Sequence, residues 1–200
     1  MKKVLFATKN PAKIKRFKDV LLEHNIELIS IKDLEEKDRV DVEENGKNAV
    51  ENAYIKAKAF YDKLKIPTFA MDDSLFLEDV PDEIQPGTHV RRVGGKELTD
   101  EEMIEYYTGL VSKYGKEVNG EKRLISKWKY ALVLLDNDQR YDYEWEYSRF
   151  YYVEKKNPEY EKGYPLGAIS KYITTDEYYK YDSTHNENRG EIEFVLSKLG

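Results

Sequence analysis

The sequence predicts an α/β fold, on three observations. An apolar run, Lys3 to Ala7, is followed by Ile14, Phe17, Leu21 and Leu22 at helical spacing, then by a second strand-like run, Ile26 to Ile31. This β-α-β order implies parallel pairing and a right-handed crossover. Further on, Ile66 to Met71 runs directly into two adjacent acids and a hydroxyl, Asp72, Asp73 and Ser74. Finally, Tyr141, Tyr143, Trp145, Tyr147 and Tyr151 alternate with Asp142, Glu144, Glu146 and Ser148. A period of two with aromatics on one side marks a strand.

Between the first strand and its helix lies Thr8-Lys9-Asn10-Pro11-Ala12-Lys13, with Pro11 placed for the first helical turn. Residues 33 to 48 are charged and irregular and contain Glu43-Glu44-Asn45-Gly46. A second helix follows, with Val50, Ala53, Ala57, Phe60 and Leu64 on one face and Asn48 with Glu51 as a capping box. Asn52 and Lys56, four apart, share a neighbouring face. The central strand then leads to the paired acids. Residues 78 to 95 carry two prolines and three glycines and form a long loop, a length that is often functional. Thr99-Asp100-Glu101-Glu102 opens a third helix with Met103, Tyr106, Tyr107, Leu110 and Val111 on its apolar side, and Gly115 ends it. Ser126 to Leu135 is a strand joined through Asp136-Asn137-Asp138 to the aromatic strand. This hairpin forms a second lobe or extends the main sheet. Residues 163 to 170 are a strand or loop, 174 to 181 a short helix capped by Thr175, and Ile192, Val195, Leu196 and Leu199 a terminal helix.

Composition narrows the function. A chain of 200 residues that is 40% hydrophobic and 36% charged can bury a core and stay soluble. Its formal net charge of -6 argues against broad binding to nucleic-acid polymers, which needs a basic footprint. A single nucleotide needs only a small basic pocket or a metal. With no cysteine, disulfide and thiolate chemistry are excluded, and a cytoplasmic location is expected. The longest apolar runs are far too short for the ~20 residues of a spanning helix, so no membrane association is expected.

The chemistry concentrates at Asp72 and Asp73. At the C-terminal end of a strand in an open α/β sheet they stand where ligands bind. Two adjacent acids repel, and in a low-dielectric cleft floor a divalent cation removes that cost. Mg²⁺ takes carboxylate oxygens and shares its remaining positions with water and substrate phosphates. The competing reading makes the two acids ordinary turn residues.

Several pieces fall into one order: Thr8-x-x-x-x-Lys13, then Glu44-Asn45-Gly46, Glu51-Asn52-Ala53-x-x-Lys56-Ala57, Asp72-Asp73-Ser74, and Pro86-Gly87 with Arg91 and Gly94. In this the chain resembles the Ham1 family of nucleoside triphosphate pyrophosphatases, also called inosine triphosphatases, most specifically over about residues 3 to 115. The resemblance implies a central mixed sheet flanked by helices, in two lobes with a cleft between them. The expected division is a single domain, 1–200, with one lobe of about 1–120 plus 171–200 and a second of about 121–170. It also implies Mg²⁺-dependent hydrolysis of non-canonical purine nucleoside triphosphates (inosine, deoxyinosine or xanthosine triphosphate) to monophosphate and pyrophosphate, by a homodimer.

Carried over residue by residue, the resemblance makes Thr8, Lys9, Asn10 and Lys13 a phosphate loop. It is not a Walker loop, because the Gly-Lys-Ser/Thr ending is absent. Lys56 becomes a second phosphate ligand, and Glu44 and Asp73 metal ligands, with Glu43 the alternative to Glu44. Asp72 and Asp73 form the catalytic pair, Asp73 orienting or deprotonating the attacking water. Ser74 bonds a phosphate or caps the next segment, and Arg91 is a cleft residue or a salt bridge. The C-terminal part departs from the pattern. Lys162-Gly163-Tyr164-Pro165 replaces an aromatic-Gly-Tyr-Asp-Pro segment, so Tyr164 or Tyr160 is the base-stacking candidate. Lys180 and His185 keep the spacing of the family's Lys and His, with Thr184 and Asn186 for Ser and Arg, and Arg189 one helical turn on as substitute donor. Leu75 and Lys9 stand where glycines are usual. A nucleotide-binding protein on the same fold, with catalysis lost or altered, is the second reading.

Overall fold

The computed structural model describes residues 1–160, 162–180 and 190–200. Thr184, His185, Asn186 and Arg189 lie outside the described residues. In chain order the elements are β1 (Lys2–Phe6), α1 (Pro11–Glu23), β2 (Ile26–Ser30), α2 (Ala49–Leu64), β3 (Thr68–Leu77), β4 (Arg92–Val93), β5 (Lys96–Glu97), α3 (Asp100–Tyr114), β6 (Lys116–Val118), β7 (Glu121–Asp136), β8 (Gln139–Tyr152), β9 (Ser170–Tyr172) and α4 (Gly190–Leu199). The main sheet has the order β2-β1-β3-β7-β8-β9, with β6 beside β7. β1 runs parallel to both β2 and β3, whereas β8–β9 and β6–β7 are antiparallel, so the sheet is mixed.

The chain divides into two compact units, with β3, β7 and β8 contributing residues to both. The first holds Met1–Asp73, Tyr130–Trp145 and α4. From Val4 onward β1 is buried on both faces, which explains why it reads as a continuous apolar run. Val4 and Phe6 point to one core, with Phe17 and Leu21 of α1 and Ile192, Val195 and Leu199 of α4. Leu5 and Ala7 point to the other, with Ala53, Ala57 and Phe60 of α2. Small residues at Ala53 and Ala57 let α2 lie close on the sheet. The stack of Phe6 on Phe69, 4.3 Å between centroids, ties the two parallel strands on the first face.

The second unit comprises Ser74–Lys129 and the chain from Glu146 through β9. Its core joins Leu75 and Leu77 to Met103, Tyr107 and Val111 of α3 and to Leu166 and Ile169. The helix α3 therefore belongs to this unit, and the expected boundaries near 120 and 170 fall inside it. The capping box of α3 forms in full, Thr99 Oγ accepting from Glu102 N–H and the Glu102 carboxylate accepting from Thr99 N–H. That of α2 forms only half. Asn48 accepts from Glu51 N–H, but the Glu51 carboxylate turns to Lys47 N–H.

Two local expectations change, and one stated alternative is selected. Residues 174 to 180 form a turn and an isolated bridge, Lys171↔Tyr178, rather than a helix. Thr175 Oγ accepts from Glu177 N–H in a tight side-chain turn, and Tyr179 N–H then returns to the Ser170 carbonyl. Residues 165–169 make a 3₁₀ segment opened by Pro165, before the short strand β9. The aromatic hairpin extends the main sheet, and its side chains go into intramolecular packing. Tyr143 stacks on Phe194 of α4 at 5.1 Å, Trp145 on Tyr130 at 5.2 Å, and Tyr151 is buried.

Candidate active site

The phosphate-loop candidate follows β1 directly. Ala7 N–H still pairs with the Phe69 carbonyl, after which the chain leaves the sheet. Thr8 Oγ accepts from Asn10 N–H at 3.2 Å, and Asn10 Oδ1 accepts from Lys13 N–H at 3.4 Å. Asn10 thus caps α1, with Pro11 as its first residue, where a missing N–H costs nothing. The result brings the Lys13 side chain to Asp73 in β3.

Asp72 and Asp73 do not sit in a turn. They lie in the middle of β3, a strand of 10 residues. Parallel pairing of β1 with β3 ends at Phe6 and Phe69, so the acids stand just past the point where β1 gives way to the loop. Extended backbone sends the two side chains to opposite faces of the strand, and each meets its own lysine. Lys13 Nζ donates to Asp73 Oδ2 at 2.8 Å, and Lys56 Nζ to Asp72 Oδ1 at 2.8 Å. Lys56 also reaches Glu44 Oε2 at 3.0 Å, which selects Glu44 over Glu43 as the carboxylate facing the cluster.

The charges pull the two aspartates apart. Burial alone would raise the Asp73 carboxyl, but the charge and hydrogen bond of Lys13, with the charge of Lys56, hold it below the ordinary aspartate range. Asp72 goes the other way. Its burial and the like charge of Asp73 outweigh Lys56 and the Asn52 hydrogen bond and push it up. Burial pulls Lys13 down, yet Asp73, Asp72 and Glu44 together carry it above the ordinary lysine value. Neighbouring acids with opposed shifts are a recurrent sign of divided acid and base roles.

One residue that sequence reasoning places only in a motif turns out to be central. Asn52, buried on α2, donates to Asp72 Oδ2 at 3.1 Å and accepts from Gly46 N–H at 2.8 Å. Its position one helical turn before Lys56 was the only sequence signal for this role.

A cavity of about 500 Å³ adjoins the cluster within the first unit. Thr8, Lys9, Glu44 and Lys56 line its polar side, Ile31 and Phe60 its apolar side. Lys56 belongs to both the cavity wall and the ion-pair cluster. Among the described residues, no group of three or more His, Cys, Asp or Glu side chains is arranged to hold a metal ion alone.

The remaining candidates belong to the second unit. Ser74 is buried inside β3 and so caps no segment. Arg91 donates to Asp100 Oδ1 at 2.8 Å and to the Leu98 carbonyl at 3.0 Å, which makes it a clamp on the start of α3. Tyr164 precedes the 3₁₀ segment, its carbonyl accepting from Gly167 N–H, and the Tyr160 hydroxyl donates to Glu101. Lys180 is exposed. His185 and Arg189 are outside the described residues.

Named relatives match about half of the chain. It is 37% identical over 100 residues to a dITP/XTP pyrophosphatase of Aquifex aeolicus, covering 48% of this chain and 46% of that one. With the dITP/XTP pyrophosphatase of Oceanobacillus iheyensis it shares 39% over 105 residues, 52% of each. The chain thus spans about half the length of the curated relatives it matches. In fold the agreement is complete along the chain. The Ham1 protein of Staphylococcus aureus superposes with a TM-score of 0.71 at 22% identity, covering 98% of this chain and 100% of that one. A HAM1 protein of Coxiella burnetii gives 0.72 at 20% identity, covering 100% and 98%. Among the described residues no helix is long and apolar enough to cross a membrane. The sequence pattern of the Ham1 family extends from residue 4 to residue 184, across both units, and by that span the chain is a member of the Ham1 family.

Proposed function

We propose that the chain is a Mg²⁺-dependent nucleoside triphosphate pyrophosphatase acting on non-canonical purine nucleotides: inosine, deoxyinosine or xanthosine triphosphate. The supporting observation is the exchangeable charge cluster, in which Lys13 and Lys56 each hold a strand carboxylate at 2.8 Å beside the α1 phosphate loop. Each ammonium is matched by a strand carboxylate. An incoming triphosphate takes the two ammonium groups and frees the carboxylates. The names of the relatives over the matching half point the same way.

The donor set fits Mg²⁺. The carboxylates of Glu44, Asp72 and Asp73 are hard oxygen donors gathered around Lys13 and Lys56. The lack of a self-sufficient metal cage among the described residues suits an ion that typically takes one or two carboxylates and completes its shell with phosphates and water. Glu44 and Asp73 would hold it. When bound, Mg²⁺ supplies charge neutralisation on the triphosphate and a water of lowered pKa.

The chain's own residues then divide the work. Lys13 and Lys56 move from carboxylate to phosphate oxygens and stabilise the charge that grows there. Thr8, Asn10 and the first turn of α1 orient the phosphates. Asp73, held ionised, accepts a hydrogen bond from the attacking water and aligns it with the α-phosphorus. The new bond joins that water oxygen to phosphorus, the water's proton passes by way of the Asp73 carboxylate to solvent, the α–β bridging bond breaks, and pyrophosphate leaves with the electron pair. The work is positioning and electrostatics, as in other phosphoryl transfers.

The test is a panel of nucleoside triphosphates with Mg²⁺ and pyrophosphate detection. Inosine or xanthosine triphosphate should exceed ATP in kcat/KM by at least about tenfold, the scale of one base-edge hydrogen bond. Equal rates on all triphosphates would remove the purine assignment, and tight binding without turnover would favour the nucleotide-binding alternative. A homodimer belongs to this proposal on family resemblance; Tyr141, Tyr143 and Trp145 of the hairpin pack in part against the chain's own core. Sedimentation at micromolar concentration should give one species at twice 23.6 kDa, and a lone monomer would refute it. A cytoplasmic location, expected from the cysteine-free sequence, is part of the same reading.

A further inference from the structure

We propose that Asn52 is the positioning residue of this site. It keeps the Glu44 loop and Asp72 in register at the moment Lys56 is withdrawn to the substrate. The inference rests on the hydrolytic reading above. It begins from an asymmetry in how α2 holds the two acids. Lys56 touches both, Asp72 at 2.8 Å and Glu44 at 3.0 Å. In a phosphate-bound site those contacts are the ones given up. One turn earlier, Asn52 makes a second link between the same two places, with Asp72 directly and with the Glu44 loop through Gly46. Asn52 itself is neutral and buried, so no phosphate competes with it for charge.

The chemistry requires this residue type. Gly46 N–H can only donate and an ionised Asp72 can only accept, so position 52 must offer one acceptor and one donor at a single fixed reach. The asparagine amide does so, and the two partners also fix which end is oxygen. Aspartate there would lack the donor and face Asp72 with a like charge. Alanine would leave Gly46 N–H and an Asp72 oxygen without partners in a buried place.

Gly46 adds an independent observation. A Cβ at this position would lie 2.7 Å from Asn52 Oδ1, 2.7 Å from Glu51 Cβ and 2.8 Å from Asn52 N. Glycine is needed for close approach: its backbone must press against α2 for the Asn52 bridge to close. The Glu-Asn-Gly and Glu-Asn-Ala pieces of the sequence are therefore two halves of one joint.

The experiment compares Asn52→Ala, Gly46→Ala and the double variant. Each single change should lower kcat about ten- to a hundredfold with KM for inosine triphosphate within about threefold, because the lysines that bind phosphate are untouched. Both act on one joint, so the double variant should be no worse than the more damaged single one. Asn52→Asp keeps the acceptor for Gly46 but not the donor to Asp72, and should be as slow as Asn52→Ala. Amide exchange in the nucleotide-free protein supplies a readout independent of turnover. The Gly46 N–H should lose at least about tenfold protection in Asn52→Ala and keep it in Asn52→Asp. A kcat within twofold of wild type in Asn52→Ala, multiplicative losses in the double variant, or unchanged Gly46 exchange in Asn52→Ala would each overturn the proposal. Should Asn52→Ala fail to fold, Gly46→Ala carries the kcat and KM test with every site side chain in place. Should wild type hydrolyse no triphosphate, the hydrolytic reading fails, and the exchange data still decide whether Asn52 holds the loop.

Discussion

Asp73→Asn lowers kcat by at least about a hundredfold, with KM for the triphosphate changed far less. Asparagine matches the shape of aspartate in β3, so the strand and its neighbours stay in place. What it lacks is the charge. In the native site Lys13 lies 2.8 Å from this carboxylate and holds it ionised. On the proposed mechanism an ionised oxygen would accept from the attacking water and help hold Mg²⁺, and both roles would matter most in the transition state. Ground-state binding of the phosphates falls to Thr8, Lys13 and Lys56 and should survive. Single-turnover kinetics at saturating Mg²⁺ separate the two parameters. Near-normal kcat in Asp73→Asn would leave Asp73 as a structural partner of Lys13 only.

Lys13→Ala should lower kcat/KM about a hundred- to a thousandfold, through KM as well as kcat, which distinguishes it from Asp73→Asn. The side chain serves twice. Its ammonium is the counter-charge of Asp73, and in the proposed mechanism it also binds phosphate. Removing it leaves Asp73 beside Asp72 with burial as the main influence on its carboxyl. In the metal-free protein, wild-type Asp73 titrates below the ordinary value of 3.8, and in Lys13→Ala it should titrate above its wild-type position. The sign for stability follows. A carboxyl with a depressed folded pKa stabilises the fold above pH 3.8, and that contribution fades as pH falls through the depressed value. Lys13→Ala should therefore be less stable than wild type at neutral pH, with the difference vanishing in acid. Carboxyl carbon titration by NMR and unfolding midpoints at neutral and acid pH measure both effects. An Asp73 titration unmoved by Lys13→Ala would break the link between loop and strand.

Much of this site is legible before any coordinates are considered, because its residues come from short motifs on local elements. Thr8 to Lys13 is a cap and a first helical turn. Lys56 follows Asn52 at one turn, and β1 announces its double burial by having no polar alternation. The strand character of Asp72 and Asp73 is not legible. Two aspartates beside a serine carry turn chemistry, and only the lysines brought by α1 and α2 make an extended, half-buried acid pair tolerable. The bridging role of Asn52 is hidden for a related reason. A buried amide is explained by two partners 6 and 20 residues away in sequence, which helical periodicity does not register. Residues 174 to 180 read as helix from composition, yet backbone pairing with β9 wins once Thr175 closes a local turn. The aromatics of β8 read as one face of a strand from their period of two, and α4 covers part of that face.

Phosphorus NMR of the products formed from inosine triphosphate and Mg²⁺ by the wild-type protein tests the proposed hydrolysis most directly. On the proposed mechanism water attacks the α-phosphorus, so inosine monophosphate and pyrophosphate should appear together in equal amounts from the first turnovers. Inosine diphosphate with orthophosphate, or no product from any triphosphate in the panel, would contradict it.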